Sequence, residues 1–244
     1  MRKFLVYLPV VCLCLFLVAG TPPVATLQLQ LTHVVNGQPL VLQSGSYTNA
    51  ASEAFNITLF KYYLSNFSLT TVGGETITLP PAYFLVDEGK PDSKLVKLPA
   101  VPPGAYRSIS FLIGVDSVRN MSGAQTGALD PVNGMFWTWN SGYIMAKLEG
   151  TSPVSKQPAN LIEFHIGGFK GARNSLRRVQ LTFPQPVRLT PQQAQTMQVV
   201  ADAYAWFQQP NVISFQQVSS CSTPGAQAMQ IADNYQHMFS IKAH

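Results

Sequence analysis

Four histidines are the side chains in this sequence best suited to bind a metal ion or to transfer protons: His33, His165, His237 and His244. No two of them are four residues apart, so the helical His-Glu-x-x-His zinc motif is absent. His165 lies in the segment Phe-His-Ile-Gly-Gly at residues 164–168, where two glycines allow a backbone or a ligand to approach closely. Each histidine taken singly also suits a structural role, so the residue types alone leave metal binding open.

Two tryptophans separated by one residue, Trp137 and Trp139, form the second candidate group, and Met135 lies close by in the chain. In an extended segment, residues two apart project to the same face. An apolar cluster or a sugar-stacking platform is the ordinary role of such a pair. The indole nitrogen is only a donor, so an unmodified tryptophan cannot ligate a metal. Oxidative opening of the indole to kynurenine would create an aryl amine with a free lone pair.

Several kinds of enzyme are not supported by the remaining polar residues. The acidic residues are scattered, and no spacing brings two carboxylates together as a glycosidase needs. A Gly-x-Ser-x-Gly nucleophile motif and a phosphate-binding P-loop are both absent. The formal charge is only +5, without a dense basic cluster, which argues against nucleic-acid binding. We therefore expect a protein that is not an enzyme.

The first 25 residues have the features of a secretory signal peptide. A basic start at residues 1–3 precedes an apolar run at residues 4–19, and small residues follow near Gly20 and Ala25. The run is short for a membrane span, which needs about 20 apolar residues. An uncleaved N-terminal anchor is the alternative. Cys221 is then the one cysteine of the mature domain at residues 26–244, which excludes an internal disulfide and a multi-cysteine zinc site.

Alternation of apolar and polar residues dominates the mature domain. Leu27, Leu29 and Leu31 share one face of an extended segment, and His33 follows in the same register, so it should point inward. Helical spacing is clearest near the C-terminus, at residues 228–239. The aperiodic residues 116–142 indicate a long functional loop. We predict a mainly β, β-sandwich-like single domain with this loop and a short C-terminal helix.

Seven segments together resemble one known family. They are residues 31–40, 60–66, 114–120, 122–131, 133–143, 164–168 and 231–235. The sequence is similar to the MbnP family of exported copper-binding proteins, which are found beside methanobactin and other copper-homeostasis genes. The resemblance extends from about Leu27 to Phe239, and the block at residues 114–143 is its longest and most specific part.

The resemblance implies a periplasmic copper-binding protein that stores or transports copper in copper homeostasis. It also implies a partner, a dihaem cytochrome c peroxidase-like or MauG-like protein, that oxidises the first tryptophan of a Trp-x-Trp motif to kynurenine. Here that tryptophan is Trp137, and copper binding is expected to depend on its modification. Trp139 is expected to shield the site or to conduct oxidising equivalents from the partner haem. No membrane contact is expected for the mature protein.

His33 and His165 match the histidines of the family motifs, so the resemblance implies that both ligate copper beside kynurenine 137. Imidazole suits either oxidation state of copper, whereas thioether favours the cuprous ion. We therefore expect Cu(I), with Met135 or Met238 as candidate soft neighbours. The hypothesis requires the side chains of His33, His165 and Trp137 to meet in one pocket.

Two other functions fit the same residues. A carbohydrate-binding β-sandwich would use Trp137 and Trp139 as a stacking platform. A redox protein would use a modified Trp137 without copper.

Overall fold

Two β-sheets pack face to face in the computed structural model, which describes residues 23–137 and 142–242. The predicted mainly β, sandwich-like domain with a short C-terminal helix is confirmed. The predicted signal segment, apart from its last three residues, and Trp139 lie outside the described residues. Within the described residues, no helix is both long enough and apolar enough to span a membrane.

The described residues form fourteen strands and two α-helices, joined by turns and 3-10 segments. The strands are β1 (Ala25–Val35), β2 (Gln38–Pro39), β3 (Tyr47–Thr48), β4 (Ala54–Thr71), β5 (Thr76–Thr78), β6 (Tyr83–Asp87), β7 (Leu95–Val101), β8 (Gly104–Ile113), β9 (Ile144–Thr151), β10 (Leu161–Gly167), β11 (Arg177–Leu189), β12 (Gln195–Asp202), β13 (Ser220–Cys221) and β14 (Phe239–Ile241). The helices are α1 (Ser117–Met121) and α2 (Ala226–Tyr235).

The first sheet is built around β1. Strand β12 pairs with β1 in parallel, β7 and β2 pair with it antiparallel, and β14 extends the sheet beyond β12. The alternate residues of β1 from Ala25 to Val35 are buried, as the sequence predicts, and His33 is among them with 4% of its surface exposed. The Asn36–Gly37 turn into β2 has positive φ at both residues, the conformation that favours this dipeptide in hairpins.

The second sheet is built around the long strand β4. The first half of β4 pairs with β9 and the second half with β8, while β10 extends the sheet beyond β9. One face of this sheet packs on β1 and forms the main core, which includes Phe60, Tyr62, Leu148 and Phe164. We call this the inner face, and the opposite face of the same sheet the outer face.

The predicted C-terminal helix is shorter than the sequence pattern suggests. Helical spacing continues to Phe239, but α2 ends at Tyr235. Phe239 instead begins β14 and pairs with Ala201 of β12. Met238 and Phe239 are still buried in the main core. Burial in the core therefore explains why both residues are apolar. The segment is nevertheless extended rather than helical, because β14 pairs with β12.

The predicted functional loop covers part of the outer face. It begins with α1, whose N-terminus is capped by Asp116, and continues through two 3-10 turns. A second apolar cluster forms beneath it from residues of the loop and of the sheet. The buried members are Tyr63, Val115, Leu129, Met135, Tyr143, Ile144, Met145 and Phe169. The loop is thus a packed layer on the second sheet.

Glu53 anchors the start of β4 and supplies a stability prediction. Its carboxylate accepts hydrogen bonds from Asn49, from the Ser214 hydroxyl and from the backbone of residues 215 and 216. Glu53→Gln replaces one accepting oxygen with a donor, so we expect a loss of about 2 kcal/mol of unfolding free energy at pH 7. Chemical denaturation measures this loss, and the exposed Glu75→Gln is the control.

Acid should weaken the same anchor. Burial by itself raises the pKa of Glu53, but its hydrogen bonds outweigh burial and hold the pKa below the ordinary value of 4.5. The carboxylate therefore contributes its full stability above pH 4.5, and the contribution is lost as the pH falls through the folded-state pKa. The Glu53→Gln deficit should shrink below pH 4.5. An equal deficit at pH 7 and in acid would contradict this role.

Candidate metal site

Strand alternation places His165 on the outer face of the second sheet. On β10, Phe164 and Ile166 are fully buried in the main core. His165 lies between them, so its side chain points to the opposite face. The residue opposite His165 on β9 is Lys147, which likewise lies between two core residues. His165, Lys147 and their polar neighbours therefore share the outer face.

His33 lies on the other side of the same sheet. It projects from β1 into the main core, where its ring packs edge-on against Phe60 and Tyr62. Its Nδ1 is 2.5 Å from the Glu88 carboxylate and its Nε2 is 2.7 Å from the Tyr62 hydroxyl. Both ring nitrogens therefore have partners within the protein.

The structure does not bring the two predicted histidine ligands together. His33 occupies the core between the sheets, whereas His165 lies on the outer face of the second sheet. The backbone and core side chains of that sheet separate them. The hypothesis that His33 and His165 meet at one ion beside Trp137 is therefore wrong for this fold, because alternation along β1 turns His33 into the core and alternation along β10 turns His165 away from it.

His165 instead lies among charged residues of β9 and β10. Its Nε2 is 2.8 Å from Oε1 of Glu149, and the same oxygen is 3.1 Å from the Lys147 ammonium. Single ligand atoms of Glu149, Glu163 and His165 all lie within 4.8 Å of one another. We call these three residues the outer cluster. One imidazole and two carboxylates at this spacing can surround a single metal ion.

Strand pairing gives a physical reason to expect a cation at the outer cluster. Glu149 and Glu163 are directly opposite each other on β9 and β10. Like charges in opposite positions destabilise a sheet unless a cation lies nearby. Lys147 partly supplies this charge, although its ammonium also reaches the carbonyl of Gly134 at 3.4 Å.

The protonation states favour metal binding at neutral pH. Burial and the Lys147 charge lower the pKa of His165 below its ordinary 6.5, against the opposing effect of Glu149 and Glu163. Burial tends to raise the pKa of Glu149, but hydrogen bonds from Lys147 and His165 outweigh it and lower the pKa below 4.5. A neutral imidazole therefore lies beside an ionised carboxylate, and these are the forms that ligate metals.

Trp137 packs on the same strand as His165. A Cβ atom added to Gly167 would lie 2.5 Å from Cζ3 of Trp137, so the indole rests directly on this glycine. Gly167 is two residues from His165 along β10, where the pairing with β9 shifts register between Ile166 and Gly167. Trp137 also packs against the second apolar cluster, which lies on the outer face that carries His165. Trp137 is half-buried there. Of the predicted trio, the structure thus brings Trp137 and His165 to one face and separates His33 from them.

Asn120 holds the end of the loop in place. Its side-chain oxygen accepts a hydrogen bond from the backbone of Tyr143 at 2.8 Å, and its amide donates to the carbonyl of Val115. A Cβ at Gly142, where φ is +70°, would lie 2.3 Å from the Asn120 oxygen. Glycine is needed here because of both the backbone conformation and the close approach. These contacts hold Gly142 and Tyr143 in place just before β9.

The two predicted soft neighbours lie in apolar surroundings. Met135 is fully buried in the second apolar cluster, on the side of the sheet that carries Trp137. Met238 is in the main core, where its sulfur accepts a hydrogen bond from the Trp206 indole at 3.4 Å. The outer face and the main core are separate, so the structure does not place Met238 beside His165.

Sequence reasoning missed Glu149 and Glu163 as site residues. A signal for their position was present, since Glu163 and His165 alternate with core residues on one strand and Glu149 does so on the next. What the sequence lacks is the register that sets Glu149 opposite Glu163.

The fold and the site define a β-sandwich protein that carries a candidate metal site on the outer face of its second sheet. Comparison with known families then identifies the class further. The MbnP family model matches residues 24–223, and the chain belongs to the MbnP family. The structure is similar to that of MbnP from Methylosinus trichosporium, with a TM-score of 0.57 and 15% identity, over 84% of this chain and 86% of that chain. At this identity the likeness concerns the fold. No curated protein matches the sequence.

Proposed function

We propose that this protein is a periplasmic, non-catalytic copper-binding protein whose site forms on the outer face of the second sheet. In this proposal His165, Glu149 and Glu163 provide ligands, and Trp137 provides the aryl amine of kynurenine after oxidation. One observation carries the proposal. The Trp137 indole rests on Gly167 of the strand that carries His165, and it packs with the second apolar cluster on the same outer face. Family membership and the N-terminal sequence pattern support export and a role in copper homeostasis.

The donor set on the outer face fits copper and suggests its oxidation state. Imidazole and carboxylate ligands favour the divalent ion, whereas thioether ligands favour Cu(I). Met238 lies in the main core, and Met135 is enclosed by apolar residues. We therefore propose that the outer cluster binds Cu(II), whereas the sequence led us to expect Cu(I). The aryl amine of kynurenine is a nitrogen donor that would complement one imidazole and two carboxylates.

Oxidation of Trp137 is proposed to need a partner protein. Opening the indole to kynurenine adds one oxygen and removes one carbon, and this requires a strong oxidant from outside the chain. The family resemblance points to a dihaem cytochrome c peroxidase-like or MauG-like partner. Trp137 is half-buried rather than enclosed in the main core, which supports access by such an oxidant. The carbohydrate-binding and copper-free redox functions stay predictions that no observation here favours.

The test of this function is a copper titration of two preparations of the full chain. One is produced together with the dihaem partner and the other alone, and intact mass establishes whether residue 137 carries the small gain expected of kynurenine. We expect one equivalent of copper to bind tightly only to the modified preparation. Absence of binding after confirmed modification of Trp137 would overturn the proposal.

Lys147 should weaken copper binding, because its ammonium competes for the Glu149 carboxylate. Lys147→Met removes this charge but keeps much of the side-chain length. A unit charge about 4 Å away is worth ~1 kcal/mol in a water-like environment, which corresponds to about a fivefold change in affinity. We expect Lys147→Met to bind copper about fivefold more tightly in the modified protein.

The matched control for this prediction is Lys94→Met. Lys94 also pairs with a glutamate, Glu88, at 3.0 Å, but this pair lies beside His33 and not on the outer cluster. Its copper affinity should equal that of the parent. Weaker binding by Lys147→Met would mean that Lys147 supports the site rather than competes with the ion.

A further inference from the structure

Tyr62 differs from the other buried tyrosines in the group that accepts its hydroxyl proton. Its hydroxyl lies 2.7 Å from Nε2 of His33, an imidazole that can take up a proton. Five other tyrosines donate to backbone carbonyl oxygens, which do not act as bases. These are Tyr47, Tyr63, Tyr106, Tyr143 and Tyr235. Tyr83 donates to a carboxylate, that of Asp116, but it is only half-buried.

The hydrogen bonds of His33 continue toward solvent. Its Nδ1 is 2.5 Å from Glu88, and the same carboxylate oxygen is 3.0 Å from the Lys94 ammonium. Burial tends to raise the pKa of Glu88, but hydrogen bonds from His33 and Lys94 outweigh it and lower the pKa overall. An ionised Glu88 can only accept, so His33 carries a proton on Nδ1, and in the neutral imidazole Nε2 then offers its lone pair to Tyr62. The side chain of Tyr62 is fully buried, whereas that of Glu88 is 13% exposed.

We propose that Tyr62 is a redox-active tyrosine with a built-in proton acceptor. A one-electron oxidant of high potential, such as a photogenerated ruthenium(III) complex or a high-valent haem, removes one electron from the phenol. The phenolic proton moves at the same time to Nε2 of His33. The products are a neutral tyrosyl radical, an imidazolium ion paired with Glu88, and the oxidant reduced by one electron.

Burial makes this coupled transfer preferable to either step alone. Loss of the electron without the proton would leave a phenol radical cation in an apolar core, which is costly. Loss of the proton alone is opposed because burial and the Glu88 charge raise the pKa of Tyr62 well above its ordinary value. Transfer of both leaves a neutral ring at Tyr62 and places the new positive charge against a carboxylate that is already ionised.

The surroundings of Tyr62 suit a radical that persists. Phe60 and Phe239 pack against the Tyr62 ring at centroid distances of 5.4 and 5.5 Å. Neither phenylalanine is readily oxidised, and both exclude water from the phenol. Trp206 packs against Phe60 at a centroid distance of 5.8 Å. Its indole donates to the Met238 sulfur, so it lacks a nearby base.

The Tyr62–His33 pair is separate from the proposed copper site. Tyr62 projects to the inner face of the second sheet, and Trp137 lies on the outer face. The proposal needs neither copper nor kynurenine. It can therefore fail while the copper function holds, and the reverse is equally true.

The test is flash-quench oxidation of the full, unmodified chain with a ruthenium polypyridyl complex in solution, followed by optical and electron paramagnetic resonance spectroscopy. We expect a neutral tyrosyl radical that is lost in Tyr62→Phe and retained in Tyr235→Phe. Tyr235 is the matched control because it is equally buried but donates to the carbonyl of Ser175. His33→Gln keeps a side chain that can hydrogen-bond but is not a base, so it should also lose the radical.

A second measurement does not depend on a variant folding. If the proton moves with the electron, radical formation in the parent protein should be slower in deuterium oxide than in water. The proposal is overturned if the tyrosyl signal persists in Tyr62→Phe or if a tryptophanyl radical forms instead. It is also overturned if the parent protein shows no solvent isotope effect, or if folded His33→Gln forms the radical as fast as the parent.

Discussion

His165→Ala should weaken copper binding by the modified protein by more than about a hundredfold, whereas His33→Gln should leave it unchanged. Loss of a group that merely orients a ligand costs about 10- to 100-fold in affinity, and loss of a ligand itself should cost at least as much. His165 is next to the two carboxylates of the outer cluster. His33 is on the other face of the sheet, with both ring nitrogens hydrogen-bonded.

The comparison needs variants that are folded and carry the modification. Intact mass verifies residue 137 in each, and thermal unfolding verifies the fold. His165 is partly exposed, with 17% of its side chain accessible, so its removal should disturb the core little. An equal loss of copper affinity in both variants would mean that His33 is also a ligand, and would contradict the separation of the two histidines on opposite sides of the sheet.

Gly167→Ala should strongly reduce the modification of Trp137 and, with it, tight copper binding. The added Cβ would lie 2.5 Å from one atom of the Trp137 ring and 2.9 Å from another. Contacts this short cannot persist, and the indole is the group that can move, because it lies in a loop whereas Gly167 is held in a strand. The yield of kynurenine is read from the mass of the peptide that contains residue 137, after production with the dihaem partner.

The control for that variant is Gly73→Ala, since the nearest atom to a Cβ at Gly73 is 3.7 Å away. It should be modified as fully as the parent. Addition of copper salts to both proteins separates an effect on modification from an effect on the site. If Gly167→Ala is fully modified and binds copper normally, Trp137 does not need its present position against β10.

Alternation of apolar and polar residues predicts much of this fold. In β1, for example, every second residue is buried. The apolar register of Leu27, Leu29 and Leu31 correctly predicts that His33 points inward. The same reasoning applied to β10 places His165 on the other face of the strand from Phe164 and Ile166, and so away from the core. Alternation in the two strands therefore argues against a metal site shared by His33 and His165. Alternation can be used in this way only once β1 and β10 are known to belong to two sheets that pack around the same core.

The carboxylates of the candidate site could not be found from sequence spacing. Glu149 and Glu163 are 14 residues apart in number, and only the antiparallel register of β9 and β10 sets them opposite each other. Register depends on long-range packing of one sheet on another. The helical spacing of Met238 and Phe239 wrongly predicts that α2 includes them. Both residues are buried in the main core, but they lie beyond the end of α2.

The number of imidazoles bound to the copper tests the central claim most directly. Pulsed electron paramagnetic resonance of the modified protein loaded with Cu(II) distinguishes one coordinated imidazole from two. We predict one, which disappears in His165→Ala and is unchanged in His33→Gln. Two coordinated imidazoles, or a single one that survives the loss of His165, would contradict a copper site on the outer face of the second sheet.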